Sequence, residues 1–340
     1  MTVAAPARRR AGLRRWLLPA YPVLLVLLTL VQVVAPRRSG PLALTEVFAP
    51  WLFLPLLVFL PFAWALRDRT LVVALALAAV TFAVHLGPAL VPGPHPQPPA
   101  GAMPVRVASW NIYIRNPAAR VVDAVQSLDA DVVGLVEVNP RQAARLDANR
   151  ALRARYRTVL MVPEANRGLL SRYPLIDSGV REDGSARAGS GLLWARLDLG
   201  GGRRLTVVVA HPLPAEASPS STLPLHWDAR PRDAEIAYVK AFVDARVAAG
   251  ERVVLMGDFN VTDREPANAE LSRGLRDAHD VAWGAGASWG PLSLRRHGQA
   301  LIRIDRILAG PGTVPTAFST DCTFRGSDHC VLDATVAVGR

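Results

Sequence analysis

Six short apolar runs beyond residue 100 each adjoin a polar residue suited to phosphate or a divalent metal. RVASWN ends at Asn111, DVVGLVE at Glu137, LTVVVAH at His211, and RVVLMGDFN at Asp258 and Asn260. LIRID ends at Asp305, and Asp328 and His329 stand just before CVLDATVAV. Runs of this length and composition read as strands. Strand ends that share one rim of a sheet are where an α/β protein assembles a site. Each residue taken alone has a plainer reading. Asn111 fits a strand-end turn, Asp258 with Asn260 an Asx-turn, and His211 a satisfied buried histidine. Taken together, the six demand a sheet architecture that brings them to one edge.

Helical spacing of apolar residues predicts helices over 118–128 and over 230–249, the latter stopped by Gly250, and a further one over 141–154. Strands are expected at 105–110, 131–137, 169–171, 191–197, 204–211, 252–256, 302–308 and 331–338, with Gly200-Gly201-Gly202 turning a hairpin. Adjacent strands mixed with a few helices argue for an α+β fold, a four-layer sandwich of two packed mixed β-sheets flanked by helices. His226, His279, His297, Asp263, Asp277 and Asp280 lie outside the six motifs and read as ordinary surface or loop residues.

The first hundred residues are of another kind. Arg8, Arg9, Arg10, Arg14 and Arg15 precede an apolar stretch at 16–35, and two more stretches follow at 47–66 and 71–91. Each is close to the ~20 residues that span a hydrocarbon core. A cleaved signal peptide would also have a basic front and an apolar centre. This apolar segment is long for one, however, and Val33-Val34-Ala35-Pro36 is a poor cleavage site. The expectation is a basic cytoplasmic segment at 1–15, then three transmembrane helices within 16–91. The five N-terminal arginines, Arg67 and Arg69 then lie inside, against Arg37 and Arg38 outside. Three crossings put everything after residue 91 outside the cell membrane, with His85 near the outer interface. Seven prolines within 87–104 exclude helix and predict a stiff extended linker at 92–103. The soluble domain is expected over 104–340.

Of the net charge of +11, nine arginines against Glu46 and Asp68 place +7 in the first hundred residues, leaving +4 for the remainder. A nucleic-acid binder usually shows a concentrated basic face. The cluster Arg141, Arg145, Arg150, Arg153, Arg155 and Arg157 reads as a solvated helix face and loop. Cys322 and Cys330 flank the segment with Asp328. They suit either a disulfide formed in an oxidising exterior or two small buried hydrophobes.

Gly257-Asp258-Phe259-Asn260 after an apolar strand, Ser327-Asp328-His329 before the last one, and Trp110-Asn111 and Glu137 upstream are the sharpest signals. In this order and spacing the chain resembles the endonuclease/exonuclease/phosphatase superfamily over residues 103–340. The resemblance implies Glu137 as principal Mg²⁺ ligand (or Mn²⁺), with Asn111 holding the metal or the scissile phosphate. It also implies Asp258 orienting or deprotonating the attacking water, and Asn260 and His211 hydrogen-bonding the non-bridging oxygens. Asp305 and His329 would form a carboxylate–imidazole pair, Asp328 a further metal-side or outer carboxylate, and Trp289 an aromatic at the edge of the substrate site. Leu170-Ser171-Arg172-Tyr173-Pro174 resembles the family's mid-domain turn. Tyr113 stands where many nuclease members have Asp, Val136 where Gln is common, and Pro212-Leu213-Pro214 follows His211. These departures bear on substrate class more than on phosphoester chemistry.

The layout of three spans and then this domain also resembles actinobacterial membrane proteins linked to teicoplanin resistance. That implies hydrolysis of undecaprenyl pyrophosphate or a related lipid carrier at the outer face of the membrane. A tethered extracellular nuclease is the alternative, against which the +4 domain charge argues. A binding module that had lost catalysis would lack Glu137, Asp258 or His329, and all three are present. The sequence leaves the oligomeric state open.

Overall fold

The computed structural model describes residues 7–94, 97–182, 191–218 and 226–340, with backbone alone for 7–16 and 218. Residues 1–6 of the basic N-terminus and His95 and Pro96 of the proline-rich stretch lie outside the described residues.

The chain begins with α1 (Ala7–Val34), α2 (Gly40–Val47), α3 (Ala49–Leu52), α4 (Leu56–Leu66) and α5 (Arg69–His85). Among the described residues two windows are long and apolar enough to cross a membrane, Leu17–Val34 and Ala49–Leu66. The third expected stretch is helical over only 17 residues and ends in a 3-10 turn, Gly87–Leu90. Pro88 follows too closely for the helix to continue. Asp68 caps α5, accepting the N–H groups of Thr70 (2.9 Å) and Leu71 (3.3 Å).

Packing fixes the direction of each helix. Leu18 shares one apolar cluster with Phe59, Ala63, Leu71 and Leu75, while Tyr21 and Leu25 share another with Ala49, Phe53, Ala78, Phe82 and Leu86. From the first cluster to the second, numbering rises along α1, falls along Ala49–Leu66 and rises along α5. The bundle therefore runs up, down and up. Its outer face stays apolar and uncovered at Leu24, Trp64, Val73 and Val80.

The rest of the chain forms two sheets. In chain order the first strands are β1 (Met103–Asn111), β2 (Val132–Val136), β3 (Thr158–Val162), β4 (Arg167–Ser171), β5 (Leu175–Arg181), β6 (Leu192–Gly200) and β7 (Arg203–Ala210). Then come β8 (Glu216–Ser218), β9 (His226–Asp228), β10 (Val253–Asp258), β11 (Arg276–Asp277), β12 (Asp305–Ala309), β13 (Thr313–Asp321) and β14 (Val331–Val338). One sheet has the order β13-β14-β1-β2-β4-β3, the other β11-β12-β10-β7-β6-β5, and β8 pairs with β9. Among the described residues only β1–β2 and β7–β10 pair in parallel, so both large sheets are mixed.

The sheets pack face to face through Val105, Val107, Val136 and Leu169 on one side and Leu193, Val207, Val209 and Met256 on the other. Helices α6 (Ala118–Ser127), α7 (Pro140–Asp147) and α8 (Arg150–Arg155) cover the first sheet, and α9 (Arg230–Ala248) the second. This is the expected sandwich. The central strands are covered on both faces, which is why they read as unbroken apolar runs rather than alternating ones. At Gly134 the sheets approach closely, since a Cβ there would meet the Met256 sulfur at 2.5 Å.

The structure corrects several expectations. The helix expected over 141–154 is two, because Asn149 stops the first and caps the second by accepting the Leu152 N–H (3.0 Å). The strand expected from 302 begins at Asp305. Its preceding residue pair, Ile302 and Trp289, forms an isolated bridge. Strands β3, β5 and β13 and the short β8, β9 and β11 escaped the sequence reading. Asp277 and His279 are buried and Asp263 is half-buried, not ordinary surface residues. Asp263 and Asp277 hold the buried guanidinium groups of Arg303 and Arg306. The arginines from 141 to 157 do face solvent, with Arg155 half-buried.

The domain docks on the upper end of the bundle. Arg38 pairs with Asp233 (3.1 Å) and Glu270, Ala229 N–H donates to the Arg38 carbonyl (2.8 Å), and Trp51 Nε1–H donates to the Leu301 carbonyl (3.0 Å). From α5, the His85 carbonyl accepts from Arg264 (3.1 Å). Between the two parts lies a cavity of ≈390 Å³ lined by Glu46, Arg264, Asp280 and Arg303. Glu46 is only 2% exposed, and burial pushes its carboxyl up to about 7, with Glu265 and Asp233 adding to the effect against the Arg37 backbone and Arg264. The folded protein thus holds more protons than the unfolded chain between the ordinary value of 4.5 and about 7. Stability falls as pH rises through that window and stays low above it. Glu46→Gln is therefore expected to raise stability by roughly 2–3 kcal/mol at pH 8 and to leave it unchanged at pH 4. Thermal unfolding of the full chain in detergent at the two pH values reads the difference; an equal effect at both would refute it.

Candidate active site

Strand direction brings the six polar motifs together. The parallel strands β1, β2, β7 and β10 deliver Asn111, Glu137, His211 and Asp258 at or just past their C-terminal ends. The antiparallel neighbours β12 and β14 start on that same rim, so their site residues precede or open the strand instead of closing it. Asp305 stands directly opposite Asp258 in the β10–β12 register, and Asp328 and His329 lie just before β14.

Asn111 ties the two sheets together at the rim. Its amide donates to Glu137 Oε1 (2.9 Å) and Asp258 Oδ2 (3.0 Å), while its Oδ1 accepts from the Tyr113 N–H (3.0 Å). Glu137 Oε2 accepts the Ile114 N–H (2.9 Å). Asp258 Oδ2 also lies 3.5 Å from the Nε2 atoms of both His211 and His329, and Oδ1 accepts the Asn260 N–H (2.9 Å). His211 Nε2 is 3.9 Å from Glu137 Oε1. The Asn260 amide donates to the Pro212 carbonyl (2.9 Å). Glu137 and Asn260 both sit at positive φ, 60° and 52°. Such strain collects where surrounding contacts over-determine a functional side chain.

His329 and Asp305 form the expected pair, Nδ1 to Oδ2 at 2.8 Å. Burial lowers the His329 imidazole, but the carboxylates of Asp305 and Asp258 on its two sides outweigh burial and raise it to about 10. Burial raises Asp258, and His329, His211 and the Asn260 N–H outweigh it, holding that carboxyl at about 2. Burial and the nearby Asp258 charge push Asp305 up against the pull of His329. At neutral pH His329 is an imidazolium held between the side chains of Asp258 and Asp305.

Two serines escaped the sequence reading. Ser288 Oγ accepts the N–H groups of Ile304 and Asp305 (both 3.2 Å), fixing the start of β12. Ser327 Oγ donates to the Asn111 carbonyl (2.7 Å) and accepts the His329 N–H (3.0 Å), linking the first and last motifs. Ser327 sits inside the SDH motif, which was a usable signal; Ser288 offered none. Trp289 Nε1–H donates to Asp328 Oδ2 (3.1 Å), and the other carboxylate oxygen, Oδ1, is buried with no partner among the described residues. Cys322 and Cys330 form a disulfide, so of the two readings the covalent one holds.

A groove of ≈550 Å³ opens over the rim, lined by Glu137, His211, Asp258, Asn260, Asp328 and His329 among others. Glu137, His211 and Asp258 each offer a ligand atom within 4.8 Å of the others, as do Asp258, Asp305 and His329. Carboxylates lining a groove beside imidazoles fit a hard divalent cation that keeps several waters, and Asp328 keeps one carboxylate oxygen without a partner among the described residues.

The sequence profile of the Endonuclease/Exonuclease/phosphatase family matches residues 108–329. The chain belongs to that family. Its members are metal-dependent phosphoric ester hydrolases, and this chain is an enzyme of that class. No curated protein sequence matches it. Among solved structures it resembles truncated TDP2 from Caenorhabditis elegans, with TM-score 0.54 and 20% identity, covering 69% of this chain and 98% of that one. It also resembles the family member from Bacteroides vulgatus (0.53, 20%, covering 69% and 99%). Beta toxin from Staphylococcus aureus is similar as well (0.51, 16%, covering 68% and 99%). At these identities the likeness is one of fold, and it corroborates the two-sheet family architecture.

Proposed function

We propose that this chain is a membrane-anchored phosphoesterase that hydrolyses a phosphate ester or pyrophosphate of a lipid carrier, such as undecaprenyl pyrophosphate, at the outer leaflet. The observation that carries the choice of substrate is the groove: among the described residues it has no lysine or arginine in its lining. A nuclease groove needs cations along the path of the phosphate backbone. A single headgroup needs only the rim.

The location rests on the anchor. Three helices that run up, down and up, with the domain docked at the upper end, support three crossings within 16–91. They also support a cytoplasmic N-terminus, a linker at 92–103 and an outward-facing catalytic domain over 104–340. Helix α5, at 17 residues and ~1.5 Å each, is short but within the spanning range. The Cys322–Cys330 disulfide supports an oxidising exterior. The resemblance of the layout to teicoplanin-resistance proteins points to a cell-wall lipid carrier.

In this reading Glu137 and Asp328, with Asn111 fixing Glu137, hold Mg²⁺ or Mn²⁺. Bound there, the cation would offset the negative charge of the phosphate oxygens. Asp258 orients the attacking water; a carboxyl held at about 2 is a weak base, which favours orientation over proton abstraction. The His329 imidazolium, kept in place by Asp305, and the side chains of His211 and Asn260 donate to the non-bridging oxygens as charge grows on them. Trp289 closes the edge of the substrate site.

The test compares phosphate release from undecaprenyl pyrophosphate with nicking of supercoiled DNA, using full-length protein in detergent with Mg²⁺ and with excess chelator. Chelator-sensitive release without nicking is the expected result, with activity falling at least 100-fold on metal removal. Nicking without release would make the protein a tethered nuclease.

A further inference from the structure

The groove is not built by the catalytic domain alone. Val47 and Phe48, at the junction of α2 and α3, line it together with Glu137, Asp258 and His329. This segment is fixed to the domain on both sides. Arg38 reaches Asp233 and Glu270, Ser39 bridges Asp228 at the end of β9, and Trp51 donates to the Leu301 carbonyl. Val47 and Ala49 are buried at 7% and 5% exposure, yet Phe48 between them stays 38% exposed. A large aromatic left open between two buried neighbours, on the wall of a catalytic groove, has room for an apolar partner.

Position says what that partner is. The helical segment that is long and apolar enough to cross a membrane, Ala49–Leu66, begins at the residue after Phe48. Phe48 therefore stands between the hydrocarbon and the rim. The groove is also lined by Ile114, Leu213, Trp227 and Ile304, in addition to the carboxylates and imidazoles. A volume of ≈550 Å³ suits a drug-sized portion of a ligand. It takes a phosphorylated head and the first part of a chain, while the rest of a long chain stays in the bilayer.

We infer that the α2–α3 junction completes the substrate site, with Phe48 contacting the first apolar portion of an amphiphilic phosphoester and setting the preference for it over a water-soluble one. The inference rests on the lipid-carrier reading and deepens it. It makes the anchor part of the site and not merely a tether.

Two substrates with the same allylic pyrophosphate head separate the effects: geranylgeranyl pyrophosphate and dimethylallyl pyrophosphate, which differ only in the number of isoprene units. They are to be assayed with full-length wild type, Phe48→Ala and Phe48→Trp in detergent with Mg²⁺. The readout is the ratio of kcat/KM for the long chain to that for the short one. Wild type is expected to favour the long chain, Phe48→Ala to lower the ratio about tenfold, and Phe48→Trp to retain most of it. Misfolding would depress both activities together and leave the ratio intact, so the ratio isolates the contact. A wild-type ratio near one, or a Phe48→Ala ratio equal to wild type, overturns the inference while leaving a lipid phosphatase in place. Nicking of DNA with no release from either pyrophosphate overturns both readings.

Discussion

Asp258→Asn is expected to lower kcat/KM about 10³–10⁴-fold while leaving the fold intact, a loss of ~4–5.5 kcal/mol of transition-state stabilisation. No other side chain at the rim is shared so widely. One oxygen lies 3.5 Å from both His211 and His329 and 3.0 Å from the Asn111 amide, and the other accepts the Asn260 N–H. Asparagine keeps the shape and can still accept from Asn260. It removes the anion, however, and its NH₂ can stand only 3.5 Å from the Nε2–H of an imidazolium, donor against donor. His329 then loses one of the two carboxylates that hold its proton, and in the proposed mechanism the attacking water loses its anchor. The measurement is kcat/KM with Mg²⁺, read beside the melting temperature of the same preparation. A loss of less than tenfold in a folded variant would remove Asp258 from the chemistry.

The rim was legible in the sequence because its physics is local. Central strands covered on both faces must be continuous apolar runs, and the polar residue that interrupts such a run marks an edge. What the runs could not disclose was direction. LIRID reads as a strand ending at Asp305, yet Asp305 opens β12, and the site is the same only because an antiparallel strand starts where its neighbours stop. Strand β5 was missed because its apolar residues Leu175, Ile176 and Val180 are exposed on an edge and leave no buried periodicity. Strand β13, at an edge of the other sheet, carries Pro315 at a register shift, a residue that argues against a strand unless a bulge accommodates it. The positive φ of Glu137 is set by tertiary contacts and has no signature in residue type, whereas asparagine at 260 is a type that adopts it readily. Phe48 was hidden differently. Inside an apolar stretch one more phenylalanine is indistinguishable from its neighbours, and only the docked domain makes it part of a groove.

Gly257→Ala is expected to cost about 4 kcal/mol or more and to destroy activity along with stability. Gly257 sits at φ 144° in β10, one residue before Asp258, opposite Ala210 of β7 in the parallel register. A Cβ on it would lie 1.9 Å from the Ala210 carbonyl oxygen and 3.0 Å from its carbonyl carbon. The obstacle is backbone in the middle of a sheet, so no side chain can swing aside. The two strands must part, and they carry Asp258 and His211 with them. Backbone strain alone does not account for the effect. Gly200, at φ 81° in the β6–β7 hairpin, has open space where a Cβ would go, and alanine there should cost only about 1 kcal/mol. Chemical unfolding of both variants against wild type separates the two terms. If Gly257→Ala loses no more than Gly200→Ala, β10 and β7 can separate at little cost, and the close strand contact that aligns the two halves of the site is not what holds it.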